Sequence, residues 1–196
     1  TCSLRGTMKK DKSKLKNLVI VGDVVHFIET GPNTGAIASI EPRTSVLSHA
    51  DHLSQQREHL IAANVDQVFI TVSVIDPQLR ITIVDRYLIA AEKGGLRPII
   101  LCNKIDLLDS PNYPEEERFI QREILSECKA VYNKLGIEFL EISAREGTGI
   151  DELKALMKDR ISVFSGQSGS GKSSIINRAT GLDLKVGKTV AATRKG

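Results

Sequence analysis

Two rhythms of hydrophobic and polar residues divide the chain. Up to residue 43 the apolar runs are short and separated by turn chemistry. Val19-Ile20-Val21 leads into Gly22-Asp23, and Val24-Val25-His26-Phe27-Ile28 follows as a second run. Gly31-Pro32-Asn33-Thr34-Gly35 is turn material, and Ala36-Ile37-Ala38-Ser39-Ile40 alternates with period two. This spacing predicts short strands joined by turns, a small β-barrel or half of one. Residues 44–63 are polar and mixed, and read as a linker with a short helix. From residue 64 strands and helices alternate. Val65 to Val74 is β-branched and apolar, and Ile81 to Lys93 is helical with Val84, Leu88 and Ala91 on one stripe, stopped by Gly94-Gly95. Pro98 to Cys102 is an apolar strand. Pro114 to Leu135 is a long helix with Phe119, Ile120, Ile124, Cys128, Val131 and Leu135 at helical spacing. A strand at Ile137–Ile142, a helix at Asp151–Asp159, a strand at Ile161–Phe164 and a helix at Gly171–Thr180 complete the pattern. Such alternation predicts a parallel sheet covered by helices on both faces, with ligands beyond the carboxyl ends of its strands.

The 196 residues suffice for a sizeable core, and 41% hydrophobic with 26% charged residues is ordinary for a globular chain. No apolar run nears the roughly 18 residues of a membrane span, and the N-terminus lacks a signal pattern. Cys2, Cys102 and Cys128 are too few and scattered for a disulfide scaffold and form no C-x-x-C pair; Cys102 and Cys128 read as small core residues. A reducing, cytoplasmic setting is expected. Charge is unevenly spread: residues 1–43 hold seven Lys/Arg against four Asp/Glu, residues 44–160 fourteen against nineteen, and residues 161–196 six against one. Basic ends suit contact with phosphates or nucleic acid, or simply keep the termini solvated. Five lysines between Lys9 and Lys16 read as a long hairpin loop. His26, His49, His52 and His59 show no metal-ligand spacing with carboxylates or cysteines.

The strongest chemical signal is Gly166-Gln167-Ser168-Gly169-Ser170-Gly171-Lys172-Ser173, followed by Ser174. It fits G-x-x-x-x-G-K-[ST] between a strand and a helix, the setting a phosphate-binding loop requires. Glycines let backbone N–H groups surround phosphates, and the helix N-terminus adds partial positive charge. Lys172 is expected at the β- and γ-phosphates, and the Ser173 hydroxyl at Mg²⁺. The competing reading is a Gly/Ser-rich linker. Directly after the strand at 98–102 stands Asn103-Lys104-Ile105-Asp106, the N-K-x-D pattern. A carboxylate in the base plane accepts from the imino and amino groups of guanine, a donor pair that adenine lacks. Asn103 would tie this loop to the phosphate loop, and the Lys104 stem would cover one face of the base. The plainer reading is a polar turn with Asp106 as a helix cap. Ser143-Ala144, after the next strand, resembles the GTPase loop whose backbone N–H meets the guanine oxygen; Arg145 to Leu153 then reads as a turn and helix start.

The order of these loops is informative. GTPases usually place the phosphate loop first, whereas here it comes last. The domain therefore reads as circularly permuted, which leaves each loop at the end of its own strand. Cys2-Ser3-Leu4-Arg5-Gly6, Val21-Gly22-Asp23, Ala63 to Val68, Asp85-Arg86-Tyr87-Leu88 and Ile161 to Gly169, together with the permuted loops, resemble the bacterial ribosome small subunit-dependent GTPase A (RsgA) family. The resemblance implies an OB-fold at 1–43 lacking its first strand, a linker at 44–63 and a circularly permuted P-loop GTPase domain at 64–196. It also implies GTP/GDP and Mg²⁺ as ligands, slow GTP hydrolysis stimulated by the small ribosomal subunit, that subunit and its rRNA as partners, and a monomer. On such an OB-fold, Lys9 to Lys16 would meet rRNA phosphates. No D-x-x-G occurs, and the chain stops 23 residues after Ser173. The resemblance further implies the end of switch I, a D-T-P-G segment and a Cys/His domain binding Zn²⁺, all expected outside these residues, and no general base is assigned. Two other classes remain: a P-loop ATPase or kinase, and an RNA-binding module with a vestigial nucleotide site.

Overall fold

The computed structural model describes residues 2–4, 18–48 and 60–185. Lys9 to Lys16, His49, His52 and His59, and the short helix expected between 44 and 63 lie outside these residues.

The first part is β-structure, as the short alternating runs predict. Strands β1 (Cys2–Leu4), β2 (Val25–Gly31) and β3 (Thr34–Ile40) form a sheet ordered β1-β3-β2. β2 and β3 are an antiparallel hairpin turning at Pro32-Asn33, where Asn33 has φ 59°, and β1 runs parallel to β3. His26 lies on β2, exposed, with Nε2 3.0 Å from Glu41 Oε1. The apolar run at 19–21 does not become a full strand: Val21 makes a single parallel bridge to Ala62. Asp23 turns the chain there, accepting from the Ile20 N–H at 2.8 Å.

The stretch read as a linker holds two further strands, β4 (Val46–Ser48) and β5 (Leu60–Ala63), paired antiparallel. Three- and four-residue strands are too short to show a period. Burial decides them instead. Leu47, Leu60, Ala62 and Ala63 are buried, and Leu47 and Ala62 share a core with Val68, Ile70, Ala90 and Ala91.

The remainder alternates as expected: β6 (Gln67–Ser73), α1 (Ile81–Gly94), β7 (Arg97–Asn103), a 3-10 turn (Ile105–Asp109), α2 (Glu115–Lys134), β8 (Glu138–Glu141), α3 (Ile150–Met157), β9 (Ser162–Gly166) and α4 (Lys172–Thr180). The four strands form a parallel sheet ordered β8-β7-β6-β9. Every residue of β6 is buried, which is why Val68, Phe69, Ile70 and Val72 show no apolar–polar alternation. Val72, Ile100 and Cys102 meet α1 and α2 through Val84, Leu125, Cys128 and Tyr132. Phe69, Ile99 and Leu101 meet α3 and α4 through Ile150, Leu153 and Ile175 on the other face.

α2 corrects the periodicity argument. Its buried residues are Gln121, Leu125, Cys128 and Tyr132. Of the expected stripe, Cys128 is buried and Ile124 half-buried, whereas Phe119, Ile120, Val131 and Leu135 are exposed. The Tyr132 hydroxyl reaches Asp85 Oδ1 on α1 at 2.7 Å, and Arg122 Nη2 donates to Leu108 O at 2.8 Å. These contacts set the rotation of the helix about its axis.

Candidate functional site

All four strands of the parallel sheet point their carboxyl ends at one edge, where the three loops singled out in sequence meet. β9 ends at Gly166, and the chain turns through Gln167–Gly171 before α4 begins at Lys172. Ser168 and Gly169 are exposed, while Gln167 and Ser170 are buried. Ser170 Oγ donates to Gln167 O at 2.8 Å, and Gln167 Nε2 to Gln78 O at 3.1 Å. The Lys172 ammonium folds back over its own loop, donating to Gln167 O (2.8 Å) and Gly166 O (3.2 Å). Burial pushes it below the usual lysine range. A cation held over backbone carbonyls can exchange them for phosphate oxygens without rebuilding the loop. Ser173 and Ser174 stand half-buried in the first turn of α4.

Asn103, the last residue of β7, joins the three loops. It is 2% exposed. Its Nδ2 donates to Ser170 O in the phosphate loop at 2.8 Å, and its Oδ1 accepts from the Ala144 N–H after β8 at 3.1 Å. Gly171 is required beside it: φ is 89°, and a Cβ there would stand 2.5 Å from Asn103 Nδ2. Lys104 takes the left-handed conformation at φ 67°, and its ammonium donates to Asp76 O. Burial lowers its pKa, against the opposing pull of Asp76 and Asp106. Asp106 is the second residue of the 3-10 turn, and its Oδ1 accepts from Ser143 Oγ at 2.6 Å. Ser143 Oγ in turn accepts from the Glu146 N–H at 3.1 Å. In the Ser143-Ala144 loop, expected from sequence to offer a backbone N–H to the guanine oxygen, the Ala144 N–H is thus engaged by Asn103.

A cleft of about 320 Å³ opens between these loops. Asn103, Lys104, Asp106 and Ala144 line it from the β7 and β8 loops, and Gly171 and Ser174 from the start of α4. Asp76, Leu107, Tyr113 and Arg145 also line it and belong to none of the three motifs. The strand-end rule gives a signal for Asp76, because it follows β6 at the same edge. Nothing local marks Tyr113, which lies seven residues beyond Asp106. Among the described residues no group of three or more His, Cys, Asp or Glu could hold a metal ion.

A parallel sheet whose outer strand β9 runs through a glycine-rich turn into a helix places the chain among the P-loop α/β proteins. More narrowly, it belongs to the RsgA GTPase family, whose match covers residues 40–196. The small ribosomal subunit biogenesis GTPase RsgA 1 of Vibrio vulnificus is 44% identical over 156 residues, 79% of this chain and 41% of that protein. The small ribosomal subunit biogenesis GTPase RsgA of Chlorobaculum parvum is 39% identical over 189 residues, 92% of this chain and 57% of that protein. Among solved structures, YjeQ from Thermotoga maritima superposes with a TM-score of 0.66 at 32% identity, covering 94% of this chain and 58% of its own. YloQ, described as a circularly permuted GTPase, gives a TM-score of 0.58 at 25% identity, with 90% and 54% covered. The chain spans about half the length of the curated relatives it matches.

Proposed function

We propose that this chain is the guanine-nucleotide-binding part of a GTPase that acts in small-subunit ribosome biogenesis. The observation that carries it is the Asn103 side chain, which bonds the phosphate loop and the Ser143-Ala144 loop at once. One nucleotide could then touch loops that are far apart and permuted in sequence. In this reading the backbone N–H groups of Gly166–Ser174 and the Lys172 ammonium hold the phosphates, and the Lys104 stem covers the base. The Asp106 carboxylate accepts from the guanine imino and amino groups, oriented by Ser143. GTP and GDP are the ligands and phosphate is the hydrolysis product; no residue here is given the role of general base.

Mg²⁺ fits the donor set. Ser173 offers a hard hydroxyl oxygen next to Lys172, and an ion that keeps waters and phosphate oxygens needs few protein ligands. When bound, it would offset charge on the β- and γ-phosphates. Zn²⁺ belongs to the expectation of a further Cys/His domain, which no described residue bears on. The partners are the small ribosomal subunit and its rRNA, supported by the names of the relatives and the basic ends of the chain. The β1-β3-β2 sheet is read as part of an OB-fold, 64–196 as the GTPase domain, and the setting as cytoplasmic. No helix of the described residues is long and apolar enough to cross a membrane.

The test is a titration with GDP, GTP and ATP, on the protein and on Asp106→Asn. Guanine nucleotides are expected to win over ATP. The amide should weaken GDP roughly 10- to 100-fold, the loss of charged hydrogen bonds, while improving xanthosine diphosphate. Equal affinity for ATP and GTP sinks the reading.

A further inference from the structure

The cleft has an aromatic wall that no motif supplies. Tyr113 is the one aromatic side chain among the described residues lining it, in a chain with three Tyr, five Phe and no Trp. We propose that Tyr113 is a base-binding residue whose ring forms the surface against which the purine rests, beside the carboxylate of Asp106 and the stem of Lys104. The inference deepens the guanine-nucleotide reading and rests on it.

Three observations support this role. The ring is half-buried, packed against the core that holds Leu108, Leu125 and Cys128, while still lining the cleft. The backbone that carries it is set before any ligand arrives. The Tyr113 N–H donates to Ser110 O at 3.4 Å, the Asn112 N–H to Ser110 Oγ at 3.3 Å, and Pro114 follows at the start of α2. A residue before proline is confined to extended backbone, so little freedom is left to lose on binding. The surroundings also keep the ring neutral: burial, with the Asp76, Glu117 and Asp106 carboxylates nearby, pushes the phenol above its ordinary pKa.

An aromatic face receives any purine, whereas Asp106 discriminates among them. Loss of the ring should therefore be felt whichever purine is bound. Tyr113→Leu keeps an apolar group against the core but removes the ring. It is expected to weaken GDP roughly tenfold, a typical loss for one stacked base, with Tyr113→Phe within about twofold of the parent. A loss of the same order is expected for xanthosine diphosphate when Tyr113→Leu is added to Asp106→Asn, because the ring stacks on either purine. With no Trp in the chain, tyrosine emission gives a second readout. GDP should quench it in the parent protein and not in Tyr113→Phe.

An unchanged GDP affinity in a folded Tyr113→Leu protein overturns the proposal, as does quenching that survives in Tyr113→Phe. If Asp106→Asn switches base preference while the Tyr113 variants change nothing, the nucleotide reading stands and the Tyr113 role falls. If the parent protein binds no guanine nucleotide, both fall. The emission test on Tyr113→Phe needs only the conservative variant to fold.

Discussion

Asp23 shows how much one side chain can carry away from the cleft. Its side chain is 1% exposed and accepts from Arg43 Nε at 2.7 Å, Arg43 Nη2 at 2.9 Å and the Ile20 N–H at 2.8 Å. Arg43 also donates to Leu18 O at 3.0 Å. The Arg43 hydrogen bonds hold the Asp23 carboxyl below its ordinary value of 3.8, against the opposing effect of burial. A carboxyl depressed in the folded state stabilises fully above its unfolded pKa, and that contribution disappears as pH falls through the lower folded value. Asp23→Asn should cost about 3 kcal/mol near neutrality, because it leaves the largely enclosed guanidinium without its counter-charge. It should also flatten the loss of stability below about pH 4. Urea unfolding followed by circular dichroism across pH checks both; equal stability of the two proteins at pH 7 refutes the assignment. The Val21-Gly22-Asp23 segment was visible in sequence, but its partner lies 20 residues away. Asn103 was better marked, since N-K-x-D names it, although only the fold shows both atoms to which it bonds.

At the scale of elements, α2 separates hydrophobic count from burial. The stripe through Phe119, Ile120, Ile124, Cys128, Val131 and Leu135 is as apolar as the buried set Gln121, Leu125, Cys128 and Tyr132, and the two share only Cys128. Hydrophobicity alone therefore could not choose the face. The bonds from Tyr132 to Asp85 and from Arg122 to Leu108 O favour the second. Leu125→Ala should cost about 2–5 kcal/mol, the usual loss for a truncated core leucine. Phe119→Ser should stay within about 0.5 kcal/mol. Urea midpoints of the two variants decide: a Phe119 effect as large as that of Leu125 would restore the stripe read from sequence. The β4–β5 pair carries the same lesson, because strands this short owe their existence to Leu47, Leu60 and Ala63 finding a core to enter.

At the scale of the whole molecule, β4 lies so close to the end of α1 that a Cβ at Gly94 would overlap Val46 O. Alanine usually stabilises a helix relative to glycine by up to about 1 kcal/mol. Here Gly94→Ala should lower the melting temperature and open the β4–β5 pair to protease, and a rise in melting temperature would show that the contact does not constrain the chain. The alternation of strands and helices, the parallel sheet and the three loops after β7, β8 and β9 could all be read along the chain. Each depends on neighbours a few residues apart, and periodicity records such neighbours directly. The buried face of α2, the β4–β5 pairing, the Asp23–Arg43 bond, and the entry of Asp76 and Tyr113 into the cleft were settled only by tertiary structure. Each depends on groups distant in sequence satisfying one another's charge, shape or hydrogen bonds, and no local pattern encodes which distant group will be there.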